Sequence, residues 1–117
     1  MLLSAKVEKA ADFPVHWISK EARYKIIEFM LSTRSVMELA RQLGISPTAV
    51  RKYIKRISHP SDEVLLRAIA SLAPYEKEAV LNIITDDLIN AISKLYSVVD
   101  DNYKAVIRAK IMKAIGL

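Results

Sequence analysis

The chain has 117 residues, 52% of them hydrophobic, with no cysteine and a formal net charge of +5. That length suits one domain, or one small domain with an appendage, and the apolar share can fill a core unaided. The lack of cysteine excludes disulfide frameworks, thiolate zinc sites and cysteine nucleophiles, and fits a reducing, cytoplasmic setting.

The N-terminal stretch MLLSAKVEKAAD is charged within its first ten residues and reads as no secretory signal. No uncharged apolar run reaches the ~18–20 residues of a membrane span, Asp86 and Asp87 interrupting the best candidate. Only two glycines occur, and runs rich in Ala, Leu, Ile, Lys and Glu predict an all-α protein.

In chain order, a short helix is expected at about 3–11, ended by Asp12, Phe13 and Pro14. A second runs from 19 to 31, with Ser19 as N-cap and Ile26, Ile27, Met30 and Leu31 on its apolar side. A third covers 36–43, where Ser35 and Glu38 form a capping box and Gly44 supplies the left-handed stop. The fourth starts at the N-cap Ser46, with Pro47 in the first helical position, and reaches Arg56. His59 and Pro60 break the chain, and a fifth helix follows from Ser61 to about Leu72. From Pro74 a long helical pattern extends to Val98, with a break expected at Thr85-Asp86-Asp87. Asp100 caps a last helix over 101–115. These elements divide into an N-terminal domain at 1–73, with its core at 20–73, and a C-terminal helical segment at 74–117.

The charge is focused. Residues 1–33 carry five basic and four acidic side chains, and 57–117 carry seven and eight. Residues 34–56 carry six basic side chains (Arg34, Arg41, Arg51, Lys52, Lys55, Arg56) against Glu38 alone. A basic patch confined to one segment is what polyanion binding requires. The same segment has the residues of a tight two-helix corner: small Ala40 at the crossing, Gly44 at the turn, Ile45 to plug it, and Val50 and Ile54 to anchor the second helix. With Val50 and Ile54 inward, Thr48, Arg51, Lys52 and Lys55 face outward, and Ser46 and Pro47 sit at the exposed tip.

Residues 36–55 resemble the helix-turn-helix of phage repressor and Cro-like regulators, aligning through Ala40, Gly44 and Val50. The likeness continues to Pro60-Ser61 and to Leu65 and Leu72, seven residues apart, and covers about 20–73. It departs from the family at Ile54 and Arg56, where glutamate and glycine are common, and at Pro47, which replaces a residue that is often glutamine. The resemblance implies an all-α DNA-binding domain that reads the major groove with residues 46–56, and a transcriptional regulator that binds palindromic half-sites as a homodimer. The expected DNA contacts are Ser46, Pro47, Thr48, Arg51, Lys52, Lys55 and Arg56, with Arg34 and Arg41 on flanking phosphates. An adaptor bridging DNA or protein in partition, packaging or recombination is the alternative.

The remaining features point away from catalysis. His16 and His59 are far apart in sequence and lack the companions of a metal site. Two glycines leave no phosphate-cradling loop. Tyr96 and Tyr103 lack the Arg-and-His array of a tyrosine recombinase. No cofactor, metal or small-molecule effector is expected. Trp17, beside Phe13, is expected in the core. The long helix is apolar on two adjacent stripes: Val80, Ile84, Leu88, Ala91 and Leu95, and Leu81, Ile89, Ile92, Tyr96 and Val99. Two stripes exceed what a surface helix needs, and predict dimerisation through the C-terminal segment. A monomer in which the last helix covers the second stripe is the rival.

Overall fold

The computed structural model describes residues 12–117, so the helix expected at 3–11 lies outside the described residues. Among them are six α-helices and no strand: α1 Lys20–Leu31, α2 Val36–Leu43, α3 Pro47–Ile54, α4 Asp62–Ala70, α5 Lys77–Val98 and α6 Asp101–Ala114. Single 3-10 turns at Val15–Trp17 and Pro74–Glu76 precede α1 and α5.

Serine N-caps start α1 to α4. The hydroxyls of Ser19, Ser35, Ser46 and Ser61 accept from the N–H groups of Ala22, Glu38, Ala49 and Val64. Each satisfies one of the amides a helix N-terminus leaves unpaired. Asp100 does the same for α6 through the N–H of Tyr103.

The chain forms two compact units, one ending at Asp87 and one spanning Leu88–Leu117. The core of the first is Ile26, Ile27 and Met30 of α1, Leu39 and Leu43 of α2, Val50 of α3, Leu65 and Ile69 of α4, and Val80 of α5, all fully buried. The sequence reading divides the chain after Ala73. In the structure the first half of α5 packs with the helices before it, and two carboxylates hold it there.

The first is Glu76, fully buried, which accepts from Arg34 Nη2 at 2.6 Å, Thr33 Oγ1 at 2.8 Å and the Ala73 N–H at 2.8 Å. Burial raises its pKa, but the Arg34 guanidinium, the Ala73 N–H and the Thr33 hydroxyl outweigh it and leave the carboxyl below its ordinary value. The second is Asp87, which accepts from the Ser19 N–H at 2.9 Å and from the Ser19 hydroxyl. Asp86 and Asp87 therefore do not cap a new helix. α5 runs unbroken through Thr85-Asp86-Asp87, because Asp87 finds its donors at the start of α1.

Arg23 is the second buried charge. Its guanidinium donates to the carbonyls of Ile18, Val15 and Pro60 and to Asp62, tying the segment before α1 to the start of α4. His16 Nδ1 also lies 3.2 Å from Asp62. This arrangement turns Trp17 outward. It is 72% exposed, edge-on to the His16 ring, and not the expected core plug.

Candidate nucleic-acid interface

The corner between α2 and α3 is built from local backbone chemistry. The capping box at the start of α2 is complete, since Glu38 Oε1 accepts from the Ser35 N–H in return. Those bonds stabilise the ionised carboxylate, and the Ser35 N–H, the largest influence, holds Glu38 below its usual pKa. Gly44 adopts φ 66°. The Ile45 N–H reaches the Ala40 carbonyl at 3.0 Å and the Gly44 N–H the Arg41 carbonyl at 3.3 Å, the double bond pattern of a Schellman stop. Ala40 is buried. Arg67, from α4, donates to the Leu43 carbonyl at 2.9 Å and also pairs with Glu63. A Cβ on Gly44 would lie 3.5 Å from that Arg67 guanidinium, so the strain of a side chain there comes from φ rather than from lack of space.

α3 is anchored through Val50 and Tyr53, both buried, and Ile54 is 45% exposed. The inward pair is thus spaced by three residues instead of the expected four, because the Tyr53 ring goes to the core. The outward side keeps its membership. Thr48, Arg51 and Lys55, at spacings of three and four, form one exposed stripe, with Lys52 beside it, Pro47 half-buried and Ser46 exposed at the N-terminal tip. Among the described residues Arg41, Arg51, Lys52 and Lys55 make no ion pair.

Two expected contacts have other partners. Arg34 is nearly buried in its pair with Glu76. Arg56 lies beyond α3, which ends at Ile54 and not at 56. The Arg56 N–H donates to the Tyr53 carbonyl and the Ile57 N–H to the Lys52 carbonyl, a second Schellman stop. It places Arg56 at φ 58°, the left-handed position usually given to glycine. Its guanidinium pairs with Glu21 at 2.8 Å and Glu28 at 3.5 Å and sits over the Tyr24 ring at 4.8 Å. The hydrogen bond between Arg56 and Glu21 is the main influence on both pKa values, lowering that of Glu21 and raising that of Arg56. The positive side chains left on the α2–α3 surface are Arg41, Arg51, Lys52 and Lys55.

Among the described residues no group of three or more His, Asp or Glu is placed to hold a metal ion, and no helix is long and apolar enough to cross a membrane. No curated protein and no solved structure matches the chain. Residues 22–59 match a family model described as "Helix-turn-helix domain". The match spans α1, α2 and α3, well under half of the chain. It supports the general helix-turn-helix class and does not single out the phage repressor and Cro-like regulators. Family match and backbone geometry together support a helix-turn-helix at α1–α3.

Proposed function

We propose that the protein binds double-stranded DNA sequence-specifically, as a homodimer in the cytoplasm, and regulates transcription. The observation that carries this reading is the exposed stripe Thr48–Arg51–Lys55 with Lys52, cationic, without an ion pair among the described residues, and set on the second helix of a helix-turn-helix. Such a helix lies in the major groove with its N-terminal residues over base edges. Arg51, one turn into α3, is placed for a bidentate contact to guanine; Thr48 offers a methyl and a hydroxyl; Lys52, Lys55 and Arg41 meet phosphates. The α3 N-terminus around Ser46 and Pro47 adds a backbone amide end that favours phosphate. Arg34 and Arg56 support the fold in this reading and do not touch DNA.

Selection of bound sequences from a random DNA pool tests the proposal. An enriched, two-fold symmetric motif is the expected result. Recovery of unenriched DNA would leave a non-specific binder, the adaptor that bridges DNA, and no retention of DNA would leave only the adaptor that bridges protein.

A further inference from the structure

Fourteen large apolar side chains are exposed among the described residues, and nine of them lie in Leu88–Leu117. At roughly 60–100 Å² for each half-exposed side chain, this surface amounts to on the order of 500–900 Å². Only Leu95 and Val98 of the nine lie on the heptad seam of α5, so the whole surface, α6 included, would be needed to reach the ~800 Å² per partner of a standard-size protein interface. A surface of this extent concentrated in thirty residues is more than scattered exposure explains.

The C-terminal half of α5 gives the surface a pattern. Leu88, Ala91, Leu95 and Val98 follow one another at spacings of three, four and three, a heptad seam on one side of the helix. Leu88 is half-buried, Ala91 is exposed, Leu95 is 54% exposed and Val98 is 78% exposed. Lys94 is the one charge between Leu88 and Val99. The opposite flank of the helix holds Ser93 and Ser97, with the exposed Ile89 beside them.

We infer that this seam joins two copies of the chain by packing α5 against the α5 of a partner. The inference rests on the dimeric DNA-binding reading and assigns its interface. A heptad seam calls for another helix, inserting side chains between those of the first, and Ala91 lets the two backbones approach. A second copy supplies the same seam, and a two-fold axis makes any such stripe its own complement. A single charge beside the seam sets up little repulsion between copies. The interface is therefore narrower than the whole C-terminal segment. It excludes residues 76–87, whose Val80 and Ile84 are already buried and whose Glu76 and Asp87 are already bonded.

Because the chain has no cysteine, single-cysteine cross-linking of the full chain gives a direct test. Under mild oxidation Ala91→Cys is expected to form a covalent dimer, and Ser93→Cys, on the other side of the helix, is not. By sedimentation at micromolar concentration the wild type is expected at twice the mass of one chain. Leu95→Asp with Val98→Asp is expected at the mass of one chain, with unchanged helical circular dichroism, since both positions face solvent within one chain. A monomeric wild type, a dimeric Leu95→Asp/Val98→Asp variant, or equal cross-linking at positions 91 and 93 would overturn the inference. Salt-sensitive DNA binding measured on the same samples separates the two readings. A wild type that is monomeric yet binds DNA sinks the seam and the homodimer but leaves the DNA-binding reading, and one that is dimeric yet binds no DNA sinks the DNA-binding reading and leaves the seam.

Discussion

Asp87, in the middle of α5, accepts hydrogen bonds from the backbone N–H and the hydroxyl of Ser19, the residue that caps α1. The Ser19 oxygen in turn accepts from the Ala22 N–H, so a carboxylate sixty-eight residues away completes the N-terminus of α1. With Glu76 held by Arg34 and Thr33 just past the end of α1, residues 76–87 are fastened beside both ends of that helix. A chain cut after Ala73 loses both fastenings together with Val80 and Ile84. Removing one large core side chain costs about 2–5 kcal/mol, so losing the whole segment exceeds what a small domain can bear. Thermal melts should show no cooperative transition for residues 1–73 and a cooperative one for residues 1–90.

The Arg34–Glu76 pair yields a second expectation. Breaking a buried pair by removing one partner costs about 3–5 kcal/mol, so Arg34→Ala should lower the melting temperature sharply near neutral pH. Because the folded state lowers the Glu76 pKa from 4.5, the carboxylate contributes stability that is present above the unfolded value and is lost as pH falls through the folded one. Melting temperature should therefore be flat from neutral pH to about 5 and fall below about 4.5. Glu76→Gln should start lower and fall less, and parallel curves for the two proteins would contradict the assignment.

The α2–α3 corner is sensitive in two independent ways. Ala40 is buried where the helices meet, so Ala40→Leu should cost on the order of 1–3 kcal/mol through overpacking. Gly44→Val should also destabilise, because a β-branched residue resists φ 66°. Denaturant titration of both variants checks this, and unchanged midpoints would rule out the corner.

Much of this domain was legible in the sequence because local rules decide it. Ser35 with Glu38, Gly44, and Ser46 with Pro47 each act on backbone within a few residues, and the structure has the bonds their order implies. Choices between neighbours were not legible. Ile54 and Tyr53 sit four and three residues past Val50, and either spacing keeps a helix face. Apolar character favoured Ile54, yet the core takes the Tyr53 ring. Trp17 was misplaced because hydrophobic size predicts burial only where a site exists, and Arg23 fixes the backbone around it. Asp87 read as a helix start because aspartate favours caps; its donors on Ser19 are visible only once the chain is folded. The outward basic residues of α3 were legible, but Arg34 and Arg56 were not separable from them by charge alone. Their carboxylate partners, Glu76, Glu21 and Glu28, lie from 28 to 42 residues away in sequence.

That separation between DNA-facing and fold-supporting cations is the central claim, and the salt dependence of DNA binding tests it most directly. Each phosphate contact contributes about 0.9 to the slope of log affinity against log salt. Fluorescence anisotropy on a selected duplex should show Lys55→Ala weakening all sequences with a slope shallower by about one per protomer, and Arg51→Ala costing about 1–3 kcal/mol and relaxing preference at one base pair. Arg56→Gln, which removes the pairing with Glu21 and Glu28, should leave the slope unchanged. Equal slopes for wild type and Lys55→Ala, or a slope reduced only by Arg56→Gln, would contradict the account.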